Sequence, residues 1–243
     1  MTVQQERQSE IDCVKPGHLR YLLMLPDMKN TLPLVLLTGF EVFGGDSLNP
    51  SWLAVQALNG QIIEGHRVLA GQLPVVFETS HKQLKVLLLQ HRPALVLCLG
   101  LAGGREGLSL ERVAINIQDS RIADNSGAQP IDVPITKSGP AAYLSTLPIK
   151  AMLRAITAVG LPGEVSQTAG TFVCNHVFYS LMRILKKHRH FLHARGGFMH
   201  VPYLPGQGDP NMPLVDIVRG LRAAVACALI TQTDVLSGAG SLN

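Results

Sequence analysis

Apolar positions along this chain fall into two alternating rhythms. Short, mostly apolar runs at Leu34–Thr38, Val68–Leu73, Leu95–Leu99 and Gly197–Val201 have the length of buried strands, Val165–Thr168 reads as a further strand, and Val113–Ile117 alternates like another. Val75-Val76-Phe77 also reads as extended chain. Between these runs lie helical patterns. Asn49-Pro50-Ser51-Trp52 opens one, with Asn as N-cap and Pro at the first helical position. Thr79–His91 carries Leu84, Leu87 and Leu88 on one face and halts at Arg92-Pro93, while Pro148–Val159 and Pro213–Thr231 repeat the pattern. A β-rich run from Glu164 to Thr168 breaks at Ala169-Gly170 and reopens as a helix through Lys187. Fully apolar strands alternating with amphipathic helices predict a largely parallel sheet covered on both faces, with its site at the carboxyl ends of the strands.

Composition adds bounds to this picture. A chain of 243 residues, 47% hydrophobic and 16% charged, can bury one sizeable core. We expect a leader over residues 1–31, a single α/β domain over 32–236 and a tail over 237–243. The net charge of +4 is spread along the chain, densest at Lys186–His190, and aromatics are only 5% and do not interleave with that run. That is the signature of a solvated helix end, so no nucleic-acid partner is expected. No apolar run approaches the roughly 20 residues of a membrane span. The leader carries Glu6, Glu10 and Asp12 and lacks an apolar signal-peptide core, which makes the cytoplasm the expected location. It is expected to be disordered or to reflect start-site choice, since Met28 lies just upstream of the first strand; N-terminal sequencing of the native protein decides between these.

The cysteines bring in chemistry. Cys98 and Cys227 sit inside apolar runs and Cys13 in the polar leader, so all three read as structural or incidental. No CxxC pair or disulfide spacing is present, which fits a reducing compartment. Cys174 differs: it falls in the first turn of a helix, where unpaired amides and the helix dipole favour a thiolate nucleophile. His200 stands near the end of its strand, before Pro202. The glycine-bearing loops Thr38–Gly45 and Gly100–Gly107 follow buried strands, and the second lacks the GxGxxG spacing of a dinucleotide site. A thiol, an imidazole and these loops therefore converge at one edge of the sheet. Taken singly, His200 also reads as a bonded core histidine, and Glu111-Arg112 as a surface pair on opposite faces of a strand. His176 projects onto a different helix face from Cys174, and His188, His190 and His193 read as a solvated turn rather than a metal cluster.

Four motifs in order carry a more specific signal: Thr38–Gly45 with Asn49–Trp52, then Glu111–Asn116, then Ala169–His176, and Gly196–Tyr203. Together they resemble the pyroglutamyl peptidase I (pyrrolidone-carboxylate peptidase) family, from about Leu34 to Gln232. The resemblance implies an α/β fold, a three-layer α/β/α sandwich around an open, mostly parallel twisted sheet. It further implies a cytoplasmic cysteine exopeptidase without metal or cofactor, often a homotetramer, whose partners are peptides with an N-terminal pyroglutamyl residue. Carried over position by position, Cys174 matches the nucleophile, His200 the general base and acid, and Glu111 the third catalytic residue. Arg121 matches an arginine that supports the oxyanion or thiolate.

Pyroglutamate is a neutral lactam, so its pocket should be apolar with a few hydrogen bonds directed at the amide, and a free ammonium buried there without a partner would cost several kcal/mol. Phe40, Phe43, Phe172 and Val173 are the expected walls; from pattern alone the phenylalanines read equally well as core. Asn49 is retained from the family pattern, with helix capping and pocket support both open as its role. Two departures stand out: Leu101 where relatives commonly carry glutamine, which puts a polar substrate contact there in doubt, and Val42 where they carry proline. A thiol hydrolase with another amide or acyl substrate, and a non-catalytic binding protein, remain the alternatives.

Overall fold

Leu34–Phe40, in which Thr38 is the one polar side chain, forms strand β1, buried along nearly its whole length in a computed structural model that describes residues 32–240. It lies between β3 (His66–Leu73) and β4 (Leu95–Leu101), and β4 lies beside β9 (Arg195–Val201), all four parallel. The full sheet runs β2-β3-β1-β4-β9-β5-β8, with β2 (Ile62–Ile63), β5 (Leu108–Glu111) and β8 (Gly163–Ser166) completing it. Direction reverses between β9 and β5, which pair antiparallel, while β5 and β8 run parallel to each other. The alternating segment at Val113 is a strand, but only over β6 (Val113–Ile115). It pairs with β7 (Ala142–Leu144) in a separate two-stranded ladder instead of joining the main sheet.

Helices cover both faces, as the fully apolar strands require. Helices α1 (Pro50–Leu58), α3 (Ile149–Ala158) and α5 (Leu214–Ile230) pack on one face against Leu95, Leu97, Met199 and Val201. On the other, α2 (Phe77–His91) and α4 (Val173–Lys187) pack against Val96, Cys98 and Phe198. The two cores are thus the two faces of the same strands, separated by the period of two in side-chain direction. That alternation sends Gly100 and His200 to the α2/α4 face.

Phe77 corrects the expectation of extended chain over Val75–Phe77: it is the first residue of α2. No side chain within the helix start caps it. Instead Asp124 Oδ2 accepts from Phe77 N at 2.8 Å, across 47 positions of sequence. Likewise Asp234 accepts from Lys150 N and Ala151 N at the start of α3. The expected tail does not stand wholly apart, since Arg112 Nη2 donates to Ala239 O at 3.1 Å. The expectations for residues 1–31, with Cys13 and Met28, lie outside the described residues. No helix among the described residues is long and apolar enough to cross a membrane.

Partial burial acts to raise the Asp124 carboxyl. The bonds it accepts from Phe77, Ser126 and Ala128 outweigh this and hold it below its ordinary value. Its stabilisation is therefore present above the ordinary carboxylate range and is lost as pH falls through the lowered folded value. Asp124→Ala is expected to cost about 1–3 kcal/mol in urea unfolding at neutral pH. The gap from wild type should narrow well below the carboxylate range.

Candidate active site

Cys174 is the second residue of α4, whose N-cap Phe172 is extended and offers no side-chain cap. Two helices of this fold have their first amides satisfied by a distant aspartate, and this one begins without a side-chain cap. The chain enters it through Gly170, at φ +75, a conformation that glycine adopts without cost. The buried Asn175 then pins the first turn: its Oδ1 accepts from Ile115 N at 2.9 Å, and its Nδ2 donates to Ile115 O at 2.9 Å and Ile117 O at 3.0 Å.

The sulfur rests over Gly100. A Cβ at that position would lie 2.6 Å from Cys174 Sγ and 3.0 Å from the Phe198 ring, so only glycine leaves the thiol its seat. Parallel register pairs Gly100 with His200, which brings the imidazole to the same face of the sheet. Antiparallel register then sets Glu111 opposite Phe198, one pleat along. His200 Nδ1 lies 2.7 Å from Glu111 Oε1, with His200 only 4% exposed and Glu111 fully buried. A carboxylate facing Nδ1 requires the proton on that nitrogen and leaves Nε2 free to accept one. Among the described residues no hydrogen bond joins Sγ to His200 in this resting arrangement.

Arg105, which the sequence reading treats only as part of a glycine loop, completes the cluster. Its Nη1 donates to the same Glu111 Oε1 at 2.8 Å, and its Nη2 to Thr168 O at 3.2 Å, in the segment leading to Cys174. The signal available in sequence was an arginine in the loop that follows a fully apolar strand, 6 residues before Glu111.

Electrostatics corrects the expectation of a ready thiolate. Burial pushes the Cys174 thiol up to about 12, the Glu111 carboxylate adds to this, and Arg105 opposes it. Burial also lowers His200, against the hydrogen bond and charge of Glu111, with Arg105 lowering it further. Both directions favour the neutral forms of the thiol and the imidazole at rest. Desolvation outweighs the pull of the helix start until a substrate brings developing charge.

A cavity of about 310 Å³ opens onto the sulfur. Phe40, Phe43, Asn49, Leu101, Phe172 and Val173, all singled out from the sequence, line it together with Cys174. The Phe43 and Phe172 rings stand 5.2 Å apart, and Phe77 meets Phe172 edge-on at 5.3 Å, so the wall is backed by a second aromatic layer. Asn49 caps α1 through Ser51 and donates to Glu41 O at 2.8 Å, so it serves as cap and cavity lining together. Tyr203 and the rim residue Asp46 also line the cavity without having been foreseen. Tyr203 occupies the space where a Cβ on Gly103 would sit. Arg121 is not brought into this arrangement: it is exposed, and neither bonds to the Glu111 cluster nor lines the cavity. His176 turns away, as expected, to Gln118 and His81.

Comparison with known proteins finds one family along most of the chain. The family described as pyroglutamyl peptidase matches residues 34–231. The pyrrolidone-carboxylate peptidase of Cupriavidus taiwanensis is 54% identical over 217 residues, covering 87% of this chain and 100% of that protein. Its counterpart from Bacillus cereus is 47% identical over 212 residues, covering 85% and 98%. Among solved structures, pyroglutamyl peptidase I from Bacillus amyloliquefaciens matches with a TM-score of 0.82 at 43% identity, covering 86% of this chain and 100% of that one. The pyrrolidone carboxyl peptidase from Thermococcus litoralis matches with a TM-score of 0.78 at 36% identity, covering 82% and 94%.

Because the fraction of thiolate grows with pH below a raised thiol pKa, inactivation by iodoacetamide should keep accelerating above about pH 8.5, an ordinary thiol value. A plateau near neutrality would contradict the neutral resting pair. Gly100→Ala puts a methyl group into the sulfur's seat and should lower kcat by about a hundredfold or more, since a displacement near 1 Å has that effect on an aligned nucleophile. Circular dichroism should show the fold retained.

Proposed function

The chain belongs to the pyroglutamyl peptidase family, and on that premise we propose that Cys174, His200 and Glu111 carry out its removal of N-terminal pyroglutamyl residues from peptides. It is a cysteine-type peptidase. The observation that carries the assignment of residues is the 2.7 Å contact between Glu111 and His200, on the same sheet face as the glycine that seats the Cys174 sulfur.

As the scissile carbonyl settles over the sulfur, the Sγ proton passes to His200 Nε2 and Sγ bonds to the carbonyl carbon. Glu111, on Nδ1, stabilises the imidazolium so formed, and Arg105 holds Glu111 in place through the same oxygen. The negative oxygen forms beside the start of α4, whose first amides have no side-chain cap and supply donors and dipole. Imidazolium then gives its proton to the leaving amine as the carbon–nitrogen bond breaks, leaving a thioester. Water, losing a proton to His200, attacks the thioester; pyroglutamate leaves and the thiol regains its proton.

Substrate selection follows from the cavity. The flat lactam ring fits between Phe40, Phe43 and Phe172, with Val173 and Leu101 closing an apolar wall. Leu101 offers only its backbone for polar contact, which leaves the loop's amides and carbonyls to meet the lactam. Arg121 is exposed two residues past Asp119, whose carbonyl accepts from Thr171 at 2.6 Å in the segment leading to Cys174, and its proposed part is to support the charged intermediate once substrate is bound. The same reading takes residues 32–236 as the peptidase domain and gives a cytoplasmic homo-oligomer acting on peptides, without nucleic-acid or membrane partners. Free thiols at Cys98, Cys174 and Cys227 support the reducing compartment in that reading.

The deciding experiment compares pyroglutamyl-aminomethylcoumarin with the prolyl and glutaminyl amides. The neutral lactam should be preferred by at least about a hundredfold in kcat/KM, because the others bring an ammonium into an apolar cavity. Cys174→Ser should stay folded and lose most turnover. Wild-type rates in that variant, or equal rates on the prolyl amide, would overturn the reading.

A further inference from the structure

A second cavity, of about 270 Å³, lies between α2 and α4 and contains none of Cys174, His200 or Glu111. Its ionisable lining is entirely basic: Lys85 and His81 from α2, His176 and Arg183 from α4, and His188 just beyond. No carboxylate lines it. The acidic residue in the first turn of α2, Glu78, is engaged by Lys82 at 2.9 Å.

Two observations show that these donors are unspent. Arg183 makes no hydrogen bond or ion pair among the described residues, and its Nε is buried without a partner. A buried guanidinium N–H left unsatisfied costs on the order of 1–3 kcal/mol, which a bound acceptor would recover. Lys85 likewise has no ion pair, and the Ser180 hydroxyl stands in the same wall. His81 and His176 form the floor, fixed to each other at 2.9 Å, with His176 held by Gln118 at 3.1 Å. Burial keeps both imidazoles below their ordinary pKa, so the positive charge of the cavity comes from Arg183 and Lys85.

This set of groups rejects a cation. Two permanent positive charges repel one, and no cluster of three or more histidine, cysteine or carboxylate side chains among the described residues could hold a metal. A planar guanidinium with free N–H groups, a lysine and a hydroxyl match a multiply charged oxyanion. At ~30 Å³ per water, the space holds such an ion with part of its hydration shell.

We propose that this cavity is a binding site for a small dianionic oxyanion of the phosphate or sulfate type, gripped by Arg183 and Lys85 with Ser180 as a further donor. It is independent of the peptidase assignment. Titration calorimetry of the full chain with inorganic phosphate, at neutral pH and with ionic strength held constant by sodium chloride, should show saturable binding. Arg183→Met and Lys85→Met should each weaken it at least tenfold, while hydrolysis of the pyroglutamyl amide in phosphate-free buffer stays at the wild-type rate and reports an intact fold. Absence of saturable binding to the wild type overturns the proposal, as does full retention of binding in both variants.

Discussion

A fully buried carboxylate organises the catalytic side of this protein. Glu111 sits on a short strand with no exposure to water, and a charge in that position is tolerated only when partners neutralise and hydrogen-bond it. One oxygen, Oε1, receives both His200 and Arg105. The second oxygen has no partner among the described residues, so the whole compensation rests on that one atom. Meeting it demands that β5 run antiparallel to β9 in the observed register and that the loop after β4 return an arginine beneath the sheet's end. Fold and site are thereby the same requirement.

The helix starts show how similar local situations are resolved to different ends. Where α2 and α3 begin, an aspartate from a distant loop accepts the first amides, and the interaction holds the loop against the domain. At α4 the first turn is instead immobilised from the side by Asn175, which bonds backbone groups of Ile115 and Ile117. The amides themselves stay without a side-chain cap beside the cavity. Clamping the turn through a neighbouring side chain leaves its dipole available to an incoming carbonyl oxygen. A glycine beneath the sulfur then lets helix and strand approach closely.

Helix α4 also divides two cavities of opposite character. On the Cys174 side the lining is aromatic and apolar, suited to a flat neutral ring. On the far side of the Phe77 and His176 rings, which meet edge-on at 5.7 Å, the lining is basic and hydrogen-bonding. Burial is the shared cause of both behaviours: it keeps the thiol protonated in one and both histidines neutral in the other.

Much of this was legible in the chain itself. The largely apolar runs at Leu34, Leu95 and Gly197 announce central strands because a strand buried on both faces can carry few polar side chains, and the spacing of Leu84 and Leu88 announces a helix because it gathers apolar groups on one face. Cys174, His200 and the phenylalanines now found in the cavity wall could be named as candidates from their motifs. What the sequence could not decide are matters of distance in space. The reversal at β9/β5, the departure of β6 into its own ladder, and the caps from Asp124 and Asp234 arise between segments far apart in the chain, and no local pattern encodes them. The same holds for Arg105 on Glu111. The state of the thiol belongs here too: a helix start argues for a thiolate, but how much water surrounds the sulfur is set by everything packed around it. Desolvation depends on the assembled fold, and so only the tertiary structure decided that burial raises the Cys174 thiol against the pull of the helix start.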